Sequence, residues 1–328
     1  MRIGVVGNGM IVEWMFRDIK ALPDVTAEAI CVREKSLEKG RELADKNGVK
    51  DVYTDYGVFL EKGDFDTVYI GIANHMHYAY VKQALEAGKH VICEKPFTVT
   101  AQETRELSDL ARAKRLFLWE AFKIPYSPIF QAVQEHLSDI GEIKMAQCNY
   151  SRISSRYGRY QAGEVLPAFD PECAGGCLYD INLYNLHFVT GLFGKPAKVH
   201  YFANRGYNGI DTSGTAILEY DGFHAVCTGA KDSSSPCYGL VQGTEGCIRV
   251  EGAVSSAPYV ELITAKETRR LADDPENGVL TGEFREFAKQ LHEGDLESCY
   301  KMLDHSVIMM EVVDEAVKDL KSSGAISL

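Results

Sequence analysis

Arg2-Ile3-Gly4-Val5-Val6-Gly7-Asn8-Gly9-Met10-Ile11-Val12 opens the chain with an apolar run, a turn holding two glycines and the start of a segment with helical period. In a loop of this kind the first glycine makes the tight turn and the second lets backbone amides approach a pyrophosphate, while the helix N-terminus adds partial positive charge. Val12 stands where the fingerprint's third glycine belongs. Two glycines between a strand and a helix also occur for structural reasons alone. The loop takes its meaning from its place at the head of an alternating chain.

Working outward, apolar runs at residues 2–6, 27–32, 67–72, 90–93 and 116–119 read as strands of a parallel sheet covered on both faces. Helical period fills the gaps. Val81, Ala84 and Leu85 recur on one face before a stop at Gly88, and Thr100 with Glu103 three residues on predicts a capped helix start. Beyond Gly141 the pattern changes to alternating strands at 143–150, 199–204, 212–220, 223–228, 246–250 and 259–264. Asp221-Gly222 is a two-residue hairpin signal, and a helix is expected near 177–190. From Glu283 the helical period returns, with Phe284, Phe287, Ala288 and Leu291 on one stripe and Leu303, Val307, Met310 and Val317 on another. The prediction is an α/β chain. A Rossmann-type doubly wound parallel sheet spans residues 1–122, and an α+β domain with a large, mainly antiparallel open sheet spans 123–328, its last helices free to pack back on the first domain.

Length and charge narrow the class. A chain of 328 residues has room for two cores, and a formal charge of −12 repels nucleic acid and anionic membranes. Nine cysteines, an odd number scattered through apolar stretches, read as reduced thiols of a cytoplasmic protein. Cys173 and Cys177 lack a second pair, and His75 and His77 are poorly spaced for a helical metal site, so no metal is expected. No stretch approaches the ~20 apolar residues of a membrane span.

Three groups of residues carry chemistry. After the second strand comes Val32-Arg33-Glu34-Lys35. A guanidinium there pairs with the 2′-phosphate of NADP, whereas Glu34 would serve the free ribose of NAD; the reading favours NADP. Ile72, Asn74 and His77 follow one strand, and Glu94-Lys95-Pro96 follows the next. In an open α/β sheet both would border the crevice at the strand ends, where Lys95 could orient a hydroxyl and favour a neighbouring acid's ionised form, or simply pair with Glu94 at the surface. Finally, Gly175 to His187 places Asp180, Tyr184 and His187 at i, i+4 and i+7, on one face if the segment is α-helical. Arg152, Arg156 and Arg159 suggest either an anionic group of the substrate or cofactor, or a solvated loop or dimer contact.

The glycine loop, the Ala73-Asn74 to His77 segment, Ala84 to Val91 running into Glu94-Lys95-Pro96, and Gly175-Gly176 through Asp180 to Tyr184 together resemble the glucose-fructose oxidoreductase / inositol dehydrogenase / rhizopine catabolism family (Gfo/Idh/MocA), nearest its dimeric dihydrodiol dehydrogenase branch. Val12 departs from the pattern, as do Asn182 at a position often glycine and Lys123-Ile124-Pro125 in place of an aromatic and arginine run. The resemblance covers nearly the whole chain. It implies a nicotinamide-dependent oxidoreductase acting on a secondary alcohol or ketone of a sugar, polyol or diol, dimerising through the open sheet or forming a higher homo-oligomer. It further implies Lys95 as catalytic lysine, Asp180 as substrate-binding acid and Tyr184 as proton donor or acceptor. The cofactor would lie along Gly7, Asn8, Gly9, Met10, Ile11, Arg33, Ile72, Asn74, His77, Glu94 and Lys95. An unperturbed phenol titrates near ~10, so Lys95 must favour its ionised form. The alternative is a catalytically silent NAD(P)-binding sensor or regulator of the same fold.

Overall fold

A computed structural model describes residues 1–276 and 279–322. The chain divides into two units, one of Met1–Lys123 and Val279–Val307, the other of Ile124–Gly278 and Ile308–Leu328.

In the first unit β1 (Arg2–Val6), β2 (Thr26–Cys31), β3 (Asp51–Tyr53), β4 (Thr67–Ile70), β5 (His90–Glu94) and β6 (Leu118–Ala121) form one sheet in the order β3-β2-β1-β4-β5-β6. All its pairs are parallel. The order reverses between β2 and β4 on either side of β1, which opens a crevice at the carboxyl ends beside the glycine loop. β3 escapes a reading by apolar runs because it has only three residues and begins with aspartate. Helix His77–Glu86 buries Val81, Ala84 and Leu85, as their spacing predicts. Thr100 caps helix Ala101–Lys114 by accepting the Glu103 N–H at 3.3 Å, and Glu103 reaches back to the Val99 N–H at 3.0 Å, one residue before the cap.

Helix Thr281–Glu293 belongs to this unit and turns a different face inward from the one its apolar residues predict. Glu283, Phe284, Phe287 and Gln290 are buried, while Ala288 and Leu291 are half-exposed. The two polar members go in because partners wait for them: Gln290 Oε1 accepts the Trp119 indole N–H at 2.8 Å and Glu283 Oε2 accepts the Lys123 N–H at 2.8 Å. Trp119 is sandwiched between Phe117 and Phe287, with centroids 5.0 and 5.1 Å away.

The second unit carries an eight-stranded sheet: β7 (Ile143–Ser151), β8 (Lys198–Arg205), β9 (Asp211–Tyr220), β10 (Phe223–Ala230), β11 (Tyr238–Gly243), β12 (Gly246–Glu251), β13 (Tyr259–Thr264) and β14 (Thr268–Asp273), in the order β14-β13-β12-β11-β7-β10-β9-β8. Only β7 with β10 is parallel. Asp221-Gly222 makes the predicted hairpin, with Tyr220 opposite Phe223 and Gly222 at φ +80°. β11, with two glycines, and β14, with three charged residues, show too little hydrophobic alternation to be read from sequence. One face of the sheet is fully buried, through Ala146, Cys148, Tyr201, Ala216, Leu218, Cys227 and Val241. The opposite face carries Ile217, Val226 and Leu240, half-exposed, with Phe202 60% exposed. Helix Leu183–Phe193 packs on β10 and β7. All nine cysteines are unbridged.

Candidate active site

The glycine loop is built for close approach. Gly7 has φ +114°, and a Cβ on it would lie 2.3 Å from the Gly71 carbonyl oxygen, so no other residue fits without displacing the β4 end. Its N–H bonds the Cys31 carbonyl at 2.9 Å. Gly9 is the N-cap of helix Met10–Ile19 and offers no side-chain cap, which leaves the first-turn amides of Met10 and Ile11 to an outside acceptor. The Asn8 Nδ2 is shielded from water without a hydrogen-bond partner. An open cradle, an uncapped ten-residue helix and an orphan donor fit a dinucleotide pyrophosphate. The departure at Val12 is absorbed nearby: Val12 is buried, and Gly71 makes the room, since a Cβ there would lie 2.9 Å from Val12 Cγ2.

Arg33 is exposed just beyond β2. Its charge is felt at Tyr80, whose hydroxyl is raised chiefly by burial and also by Cys31, with Arg33 acting against them. Ile72 and Asn74 follow β4, half-buried. His77 is fully buried, its Nδ1 2.9 Å from the Pro96 carbonyl oxygen and its Nε2 3.2 Å from that of Ile72. It brackets the loops after β4 and β5, and burial lowers its pKa. Glu94 is buried, accepts the Tyr69 hydroxyl at 2.7 Å and is pushed up to about 7 by desolvation. Lys95, next in the chain, is half-buried.

In the second unit the segment expected to be one α-helix starts as a π-helical turn, Leu178–Asn182, and continues as α-helix Leu183–Phe193. Such wide turns recur at functional sites. Asp180 and Tyr184 are half-buried, but His187 is 1% exposed, so the three polar groups do not share an accessible face. The extra residue in the turn breaks the strict α spacing on which that expectation rests. Tyr184 lies against Tyr150 of β7, centroids 6.1 Å apart. Asn182, the second departure, donates to the Cys227 carbonyl at 2.9 Å, and Gly229 makes room for it: a Cβ there would meet Asn182 Cβ at 3.0 Å.

Asp180 Oδ2 lies 2.9 Å from the Nζ of Lys231, which is 1% exposed. Asp211 anchors the start of the turn by accepting the Leu178 N–H and the Tyr201 hydroxyl, each at 2.7 Å; burial pushes it up to about 6. Of the three arginines, Arg159 is engaged by Glu164 through both carboxylate oxygens. The residues that sequence reasoning missed are Lys231, Asp211, Glu283 and Gly71. The first three stand beside polar or charged neighbours, Asp232 after Lys231, Thr212 and Ser213 after Asp211, and Arg285 and Glu286 after Glu283, so nothing in the sequence marks them as buried, and Gly71 falls inside the apolar run at 67–72. Among the described residues, no cluster of three His, Cys, Asp or Glu side chains is placed to hold a metal ion.

The parallel sheet and its glycine loop define a nicotinamide-dinucleotide-binding α/β protein. A family model described as "Oxidoreductase family, NAD-binding Rossmann fold" matches residues 1–122, and the GFO/IDH/MocA C-terminal domain matches residues 130–249. The chain is 31% identical over 321 residues to scyllo-inositol 2-dehydrogenase (NADP(+)) IolU of Bacillus subtilis (strain 168), covering 98% of this chain and 97% of that protein. It is 27% identical to the trans-1,2-dihydrobenzene-1,2-diol dehydrogenase of Homo sapiens over 331 residues, 97% and 96% of the two chains. It shares its fold with KijD10, a 3-ketoreductase from Actinomadura kijaniata solved with NADP and TDP-benzene, at a TM-score of 0.83, 22% identity and 97% coverage of both chains. The chain belongs to the GFO/IDH/MocA oxidoreductase family, and it is a nicotinamide-dependent dehydrogenase or reductase. No helix among the described residues is long and apolar enough to cross a membrane.

Proposed function

We propose that this enzyme prefers NADP and interconverts a secondary alcohol and a ketone on a sugar, polyol or related diol. The observation that carries the reading is Asp180 on its π-turn, clamped by a buried ammonium, with Tyr184 at the start of the α-helix that follows, in a chain that keeps Lys95 just after β5. Full-length similarity to an NADP-dependent inositol dehydrogenase supports it.

When bound, a nicotinamide cofactor would supply the hydride acceptor or donor for the carbinol or carbonyl carbon. Asp180 accepts a hydrogen bond from a substrate hydroxyl and so orients the ring. The Tyr184 oxygen takes the proton of the reacting hydroxyl in oxidation and gives it back in reduction. Lys95 is matched to the family's catalytic lysine, whose positive charge would favour an ionised proton acceptor. Gly7, Asn8, Gly9 and the amides of Met10 and Ile11 would hold the pyrophosphate, and Arg33 would take the 2′-phosphate. Ile72, Asn74 and Glu94 line the nicotinamide side, while His77 sets the spacing of their loops. The cofactor role would fall to residues 1–122, whose unit also takes in residues 279–307, and the substrate role to the unit that carries the eight-stranded sheet. The half-exposed face with Ile217, Val226, Leu240 and Phe202 serves as a homodimer surface, and the unbridged cysteines suit the cytoplasm.

The test is nicotinamide absorbance of the purified protein with NADP or NADPH and a panel of inositols, sugars, diols and their ketones. Lys95→Ala and Tyr184→Phe are each expected to lower turnover by about 10²-fold or more. Full activity in both would overturn the role assignment. Tight NADPH binding without turnover across the panel would favour a sensor.

A further inference from the structure

We propose that Lys231 is a positioning residue that locks Asp180 in its working orientation and ties it to the segment from Ala168 to Gly176; this rests on the reading of Asp180 as a site acid. Lys231 follows β10 directly and is 1% exposed. Its main chain is held on both sides, its N–H by the Thr212 carbonyl at 2.8 Å and its carbonyl by the Ser154 N–H at 2.9 Å.

An ammonium has three protons and no acceptor, and burying one is costly unless each finds a partner. Here all three do: Asp180 Oδ2 at 2.9 Å, the Ala168 carbonyl at 2.5 Å and the Gly176 carbonyl at 3.4 Å. The Phe169 ring closes over the ammonium, its centroid 4.5 Å from Nζ. Phe169 in turn stacks on Tyr160 at 4.8 Å, and Tyr160 on Tyr207 at 4.5 Å, so a column of three rings backs the clamp.

Stability alone does not call for this arrangement, because a buried ion pair is often replaced by apolar side chains of similar volume without loss. Orientation does call for it. A half-exposed carboxylate can occupy several rotamers unless a partner fixes it. The other groups whose charge Lys231 and this turn share are Asp211, Asp232, Cys177 and Tyr201. Asp211 is already engaged by Leu178 and Tyr201, which leaves Lys231 to Asp180. Two backbone carbonyls and a ring therefore fix the ammonium that Asp180 meets.

The test is a double-mutant cycle on the full chain with Lys231→Met, Asp180→Asn and the double variant, plus Lys231→Gln, assayed on whichever substrate of the panel the wild type turns over. Circular dichroism and NADPH titration report folding and cofactor affinity. Lys231→Met is expected to lower kcat/KM about 100-fold with NADPH affinity unchanged and to move the acid limb of its pH profile upward, since a carboxylate that loses its ammonium partner is protonated more readily. Lys231→Gln, which keeps donors, should recover part of the loss, and the double variant should be no slower than Asp180→Asn. Effects that multiply in the double variant, or full activity of Lys231→Met, overturn the proposal. If Lys231→Met does not fold, the double variant, free of an unpaired buried charge, still decides against Asp180→Asn alone. Full activity of Asp180→Asn strikes instead at the reading of the site, and removes the role from Lys231 with it.

Discussion

The carboxyl of Glu283 accepts the backbone N–H of Lys123 at 2.8 Å, joining helix Thr281–Glu293 to the last residue of the first unit's N-terminal stretch. Lys123 sits at φ 29°, a strained conformation for a residue with a side chain. The other carboxyl oxygen, Oε1, is buried without a hydrogen-bond partner. Burial first, and the nearby Glu94 second, push Glu283 up to about 8, with the Lys123 N–H acting against them. Glu94 itself stands at about 7. Near neutrality the fold therefore prefers this acid pair at least partly protonated.

The pH dependence of stability follows in sign. Both groups have folded values above the ordinary 4.5, so between that value and about 8 the native state binds more protons than the unfolded chain. Their stabilisation is complete below pH 4.5 and is lost as pH rises through about 7 to 8. Glu283→Gln keeps the shape and removes the titration, and should flatten the decline, gaining roughly 1–3 kcal/mol over the wild type between pH 5 and pH 9. Urea unfolding at several pH values measures this. Identical slopes for the two proteins would sink the idea.

Gly7 and Gly9 separate backbone need from ligand need. Gly7→Ala drives a methyl into the Gly71 carbonyl at φ +114° and should destabilise the protein by about 2 kcal/mol or more, abolishing NADPH binding. A Cβ on Gly9 meets nothing within 4 Å, so Gly9→Ala should melt close to the wild type yet bind NADPH at least tenfold more weakly, because the methyl occupies the helix entrance. Thermal melts beside NADPH fluorescence titration distinguish the pair; Gly9→Ala binding like wild type would place the phosphates elsewhere.

Val12 and Gly71 should behave as one packing unit. Gly71→Ala alone is expected to cost about 1–3 kcal/mol through its 2.9 Å approach to Val12 Cγ2, and Val12→Ala should relieve part of that cost in the double variant. Denaturant midpoints for the four proteins test it. Strict additivity would show that Gly71 is needed for some reason other than room for Val12.

Arg33→Ala should raise the KM for NADP about tenfold to a hundredfold, the loss of one charge-assisted phosphate pairing, and leave NAD within about twofold. Steady-state kinetics with both nucleotides check it. An equal change for the two would make Arg33 a surface residue beside Tyr80.

What neighbours along the chain decide was legible from the residues. The β1 run and its glycine turn, the Thr100 cap and the Asp221-Gly222 hairpin each depend on a few consecutive side chains, whose sterics and local hydrogen bonds are the same wherever the segment lies. Lys95, Asp180 and Tyr184 were singled out by motif, without their surroundings. Those surroundings arise from distant partners: Lys231 is held by a carbonyl 63 residues away, and Glu283 by an amide 160 residues away. A buried charge is stable only where folding has already assembled its counter-groups, and no local pattern encodes that assembly. The π-turn under Asp180 and the inward rotation of Glu283 and Gln290 belong to the same class, since packing overrode the period that the apolar residues suggest.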